Sequence, residues 1–187
     1  KAAQKGTGSW STTAALALGQ PFDTISSAVM ARHISAQKML RISAQTHYSI
    51  SRKNIDTLEI DTIKMAYHCG RLINHAIGFE TIKTASNNYH WQSNLANIAH
   101  TWTNGCIIRS RLMEELVGIF EKDDKTHLLL QPTVVAQVKL LYPAFAKAVS
   151  EGLKAHASIP TLSAALNYFN GFTTANSSAH LIQAQRD

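Results

Sequence analysis

Apolar positions recur at helical spacing along most of this chain, while alternation of the kind a strand needs never lasts beyond a few residues. After Pro21, a residue that helices accept in their first turn, Phe22, Ile25 and Val29 predict a helix to about Lys38, and Arg32 continues the same stripe. A longer helix is predicted from about Asn54 to Lys83. Ile63, Ala66, Ile73 and Ile77 mark one face of it, and Met65, Leu72, Ala76 and Phe79 another, so it should be buried within a bundle. Ile55 to Ile60 is the one stretch with strand character, and helix is expected there too.

Ser93 or Asn94 can cap a short helix through Ile98, and Gly105 to Phe120 carries Ile107, Ile108, Leu112, Leu116 and Ile119 near helical spacing before a loop at Asp123-Asp124. From Thr133 a further helix through Val134, Val138, Leu141 and Phe145 should kink or break at Pro143. Pro160 starts another that runs to Gly171, and a last helical turn or two covers Ala179 to Arg186. The expected class is all-α, a multi-helix bundle with a long buried central helix, and residues 1–187 are expected to form one domain.

Composition fits that reading: 45% of the 187 residues are apolar and 16% charged, with nine glycines and four prolines, a profile of buried helices rather than disorder. The formal charge of +6 favours anionic partners, but the cations are scattered singly. Arg109-Ser110-Arg111 is the nearest approach to a cluster, so a small phosphorylated ligand is expected and nucleic acid is not. Two isolated cysteines, Cys69 and Cys106, suit a reducing cytoplasm, and no apolar run is long enough to cross a bilayer, so no membrane partner is expected.

Chemistry concentrates at the start, in Gln4-Lys5-Gly6-Thr7-Gly8-Ser9-Trp10. Glycine lets backbone N–H groups approach an anion, lysine supplies a point charge, and a following helix adds its positive end. The same residues would also serve as an ordinary helix-entry loop. They form neither a dinucleotide fingerprint, since position 11 is Ser11, nor a nucleotide loop closed by a Lys-Ser or Lys-Thr pair. Arg32, on an apolar stripe, must snorkel, pair or face a ligand, and its fork suits a phosphate.

The nine histidines offer no metal set: His68 and His75 are seven apart, about 10 Å along a helix. Glu114-Glu115 and Asp123-Asp124 are adjacent rather than convergent, and no Gly-x-Ser-x-Gly elbow exists. No metal and no catalytic residue is assigned in this chain.

Four separated segments together resemble one family: Gln4-Lys5-Gly6-Thr7-Gly8, Ala31-Arg32, Gly105-Cys106-Ile107-Ile108-Arg109-Ser110 and Leu181-Ile182-Gln183-Ala184-Gln185-Arg186-Asp187. In that order they are similar to decarboxylating 6-phosphogluconate dehydrogenase. The resemblance implies the later part of that family's all-helical domain, which completes the substrate site and dimerises, with the Rossmann cofactor domain expected upstream in a longer protein. It implies that Lys5, Thr7 and Arg32 bind the phosphate of 6-phosphogluconate, and that Arg186 reaches the same site from the partner subunit of a homodimer.

The implied activity is a cytoplasmic step of the pentose phosphate pathway, in which NADP takes a hydride from C3 and the keto acid loses carbon dioxide to give ribulose 5-phosphate. The catalytic residues and the NADP site would lie outside this chain, which alone is expected to be inactive. Ser9, Thr103, Asn104, Asn170 and Thr173 depart from the family's usual residues. A non-catalytic helical dimerisation or scaffold module is the alternative.

Overall fold

The computed structural model describes residues 6–56, 58–176 and 179–185. They form α1 (Thr7–Ala17), α2 (Asp23–Ala36), α3 (Lys38–Tyr48), α4 (Ile60–Asn88), α5 (Leu95–Thr101), α6 (Arg111–Lys122), a 3-10 turn (Leu128–Leu130), α7 (Pro132–Lys154), α8 (Pro160–Phe172) and α9 (Ala179–Ala184). Among the described residues there is no strand.

Local chemistry explains most of the boundaries. Asn94 caps α5 by accepting from Asn97 N at 2.8 Å, and Ser110 caps α6 by accepting from Met113 N at 3.3 Å. Pro132 and Pro160 sit in the first turns of α7 and α8, where their missing N–H costs nothing. Three helices close with the same left-handed turn. After α1, Gly19 (φ 64°) donates to Leu16 O and Gln20 N donates to Ala15 O at 2.9 Å. His90 after α4 and His156 after α7 repeat that arrangement with φ of 57° and 59°.

α4 lies along α7 at the centre, with α5 and α6 paired beside it and α2 packed on α8. Ala66, Cys69, Leu72, Ile73, Ala76, Ile77 and Phe79 are buried, as a central helix requires. Phe79 meets Phe120 of α6 with ring centroids 4.6 Å apart. Two glycines permit close approach elsewhere: a Cβ on Gly70 would stand 2.8 Å from Leu162 Cδ2, and one on Gly152 would stand 2.8 Å from Ile159 Cδ1. Burial pushes the Cys69 thiol up to about 11, which leaves it protonated and inert at neutral pH.

Several expectations are corrected. The 49–59 stretch is irregular, so α4 begins at Ile60 rather than near Asn54, and it runs on to Asn88 instead of ending near Lys83. Residues 105–110 form a loop, and α6 starts only at Arg111, where Ser110 can cap it. Pro143 does not break α7: the proline and Lys139, whose carbonyl loses its donor, both lie on the exposed side, where water replaces the bond. The pattern gave no sign of α3, which buries none of its residues.

Candidate functional site

Gly6 leads the chain into α1 in a conformation that favours glycine, with φ at 98° and no side-chain cap on the helix among the described residues. Its carbonyl accepts from Trp10 N at 3.1 Å, so Thr7 is the first helical residue and is exposed. The backbone N–H groups of Thr7 and Gly8 belong to the first turn, which has no intrahelical acceptor for them and carries the positive end of the helix dipole. Of the two glycines in this segment, only Gly6 lies in the entry to the helix. Gly8 is helical, and its carbonyl accepts from Ser11 Oγ at 3.0 Å and Thr12 Oγ1 at 2.9 Å.

Arg32 lies near the end of α2 and is exposed, so the apolar stripe of Ile25 and Val29 turns away from it into the core. Among the described residues its guanidinium has no hydrogen-bond or ion-pair partner. The register of the two helices relates it to Thr7. A short connection, residues 18–22, reverses the chain, and Ser26 Oγ then donates to Thr12 Oγ1 at 3.5 Å. Counting outward from that crossing in antiparallel sense sets Thr7 opposite Ala31, one residue from Arg32. By this register Thr7 and Arg32 fall toward the same end of the α1–α2 hairpin. Lys5 and Arg186 lie outside the described residues.

Two further polar contacts were not signalled by motif or spacing. Thr24 Oγ1, on a fully buried residue, donates to Asn74 Oδ1 at 2.6 Å and ties α2 to α4. Arg71 Nη2 donates to Ser110 Oγ at 2.8 Å, joining α4 to the cap of α6, and Arg71 Cζ stands 5.5 Å from the Tyr67 ring centroid. Asn170 Oδ1 accepts from Tyr142 Oη at 2.8 Å and ties α8 to α7.

Burial lowers the His75 and His127 pKa values below the ordinary range. Among the described residues no group of three or more His, Cys, Asp or Glu could hold a metal ion, and no helix is long and apolar enough to cross a membrane. Among the described residues there is no strand and so no strand-to-helix glycine turn of the Rossmann kind.

Known proteins provide the context for this geometry. The family model "6-phosphogluconate dehydrogenase, C-terminal domain" matches residues 1–187. Decarboxylating 6-phosphogluconate dehydrogenases of Treponema pallidum and Salmonella typhimurium are each 35% identical over the whole chain. The chain spans 40% and 41% of their respective lengths. A solved structure of Plasmodium falciparum 6-phosphogluconate dehydrogenase, described in its apo form and in complex with its cofactor NADP+ and its substrate 6-phosphogluconate, superposes with a TM-score of 0.92. It is 32% identical and covers 98% of this chain and 40% of its own.

Proposed function

Because the chain belongs to the 6-phosphogluconate dehydrogenase C-terminal domain family, we propose that it provides the phosphate end of the substrate site in an enzyme that oxidatively decarboxylates 6-phosphogluconate. The observation that carries this reading is that, among the described residues, α1 begins with no side-chain cap and the Arg32 guanidinium has no partner, and the α1–α2 register sets the two toward the same end. A phosphate dianion is bound well by backbone N–H groups, a hydroxyl and a guanidinium fork together. Thr7 and Arg32 take those roles, with Lys5 completing the charge and Arg186 arriving from a second copy.

The phosphate does not react. Gripping it uses remote binding energy to hold the sugar acid in place while its C3 gives up hydride and C1 leaves as carbon dioxide. NADP+ accepts that hydride, and its binding is assigned to the part of the relatives' length that has no counterpart in this chain. The setting is the cytoplasm and the pentose phosphate pathway. In the intact protein that carries this chain, 6-phosphogluconate and NADP+ are expected to yield NADPH, carbon dioxide and ribulose 5-phosphate, while this chain alone forms no NADPH. Absence of turnover in the intact protein, together with no calorimetric response to 6-phosphogluconate, would favour the scaffold reading.

The proposed homodimer draws support from α3. An isolated eleven-residue helix is marginal in water, yet α3 leaves Met39 76% and Tyr48 77% exposed, with Leu40 and Ile42 also at the surface. A second copy covering this face would supply the missing packing. Leu40→Glu with Ile42→Glu is expected to shift the protein from dimer to monomer in sedimentation equilibrium, and an unchanged mass would remove α3 from the interface.

A further inference from the structure

Arg32 stands at the far end of a lever whose fulcrum is buried. Thr24, at the start of α2, is 0% exposed and donates its hydroxyl to Asn74 of α4, and two residues on Ser26 donates to Thr12 of α1. The two contacts form a chain, α1 to α2 to α4, that fixes both phosphate-site helices to the central helix. Thr24 also lines a cleft of about 270 Å³ with Ile25, Tyr67, Arg71, Asn74 and Leu162. The fulcrum therefore has open space beside it, and while α2 packs along α8, the Thr24–Asn74 bond is its directional tie to α4. Other contacts of α2 near this end are apolar and non-directional: Ile25 Cδ1 lies 4.0 Å from the Cβ position of Gly78, and Val29 enters the core.

Eight residues separate Thr24 from Arg32, about 12 Å of helix, so a tilt of about 5° at the fulcrum moves the guanidinium by about 1 Å. A displacement of that size is enough to spoil a bidentate grip on a phosphate. We infer that Thr24 and Asn74 are positioning residues for the substrate phosphate, with Ser26 and Thr12 transmitting the same alignment to α1. The inference rests on the proposed phosphate site and adds to it residues that never touch the ligand.

The test compares Thr24→Val, which keeps the shape and removes the hydroxyl, with Thr24→Ser, which keeps the hydroxyl, in the intact protein. Thr24→Val is expected to raise KM for 6-phosphogluconate about tenfold, with kcat within about twofold and competitive inhibition by inorganic phosphate weakened in parallel. Thr24→Ser should stay within about twofold of the parent protein on all three readouts. Ser26→Ala, at a half-buried site, should give a smaller change in the same direction and keeps the test open if Thr24→Val does not fold.

An unchanged KM in Thr24→Val, or a Thr24→Ser variant as impaired as Thr24→Val, overturns the positioning role. If the parent protein does not respond to 6-phosphogluconate, the functional reading fails and this inference fails with it. If the parent responds and Arg32→Ala weakens it while Thr24→Val and Ser26→Ala do not, only the positioning role is lost.

Discussion

Arg32→Ala is expected to lower kcat/KM for 6-phosphogluconate about 100-fold in the intact protein, on the basis of two charge-assisted bonds worth about 1.5–3 kcal/mol each in favourable settings and less at an exposed site. The exposure of Arg32 argues for the lower half of that range, and the absence of a competing acid among the described residues argues against a smaller value. Arg32→Lys should recover only part of the loss, since an ammonium keeps the charge and gives up the planar fork. Steady-state kinetics and calorimetric titration with 6-phosphogluconate check both variants. Raised salt should weaken the parent protein's affinity and change that of Arg32→Ala less. Equal affinity in the parent and Arg32→Ala would remove the arginine from the site.

The parts of the fold that could be read from sequence are those where one residue type has one structural use. Pro160 marks a helix start, and Ser93 or Asn94 brackets another that Asn94 proves to cap, because a fixed φ and a side-chain cap act locally. The end of α4 was misplaced because its left-handed closing residue is His90 rather than glycine. A histidine there costs strain that the turn's two backbone bonds offset, and nothing in the local sequence announces it. The extra length assigned before Ile60 has another cause. Ile55 and Ile60 fit a helical period, but Ile60 is 64% exposed and the stretch of chain before it is held to the end of α7 by its backbone, Lys53 N donating to Ala155 O at 3.2 Å, so period without a buried face does not hold a helix.

The candidate site divides the same way. The chemical types of Thr7 and Arg32 were legible, as was the presence of a glycine at the entry to α1. Their shared end was not, because it depends on a hairpin register fixed by Ser26 and Thr12, two common residues with no motif around them. Thr24 and Asn74 are fifty residues apart and meet only after α2 has docked on α4. Pro143 is the opposite case: a strong local signal for a break that the fold overrides by turning the proline outward.

Phe145→Ala is expected to cost about 3–5 kcal/mol of folding stability, the range for emptying a buried aromatic site, and to lower Tm by about 10 °C or more. Phe145 is 0% exposed on α7, and its Cε2 lies 3.7 Å from the Cβ position of Gly70 on α4. Urea and thermal unfolding measure the loss, and a change below about 1 kcal/mol would mean that the core refills the space. The same contact makes a second test possible. Gly70→Ala pushes against Leu162 Cδ2 at 2.8 Å, and the room left by Phe145→Ala lets that side chain yield. The double variant should therefore lose less than the sum of the singles. Because Phe145 acts on α4 and α7 rather than on the α1–α2 end, the folded fraction of Phe145→Ala should keep the parent's KM. Arg32→Ala should do the reverse, keeping Tm and losing affinity, so the two variants separate the scaffold from the grip it supports.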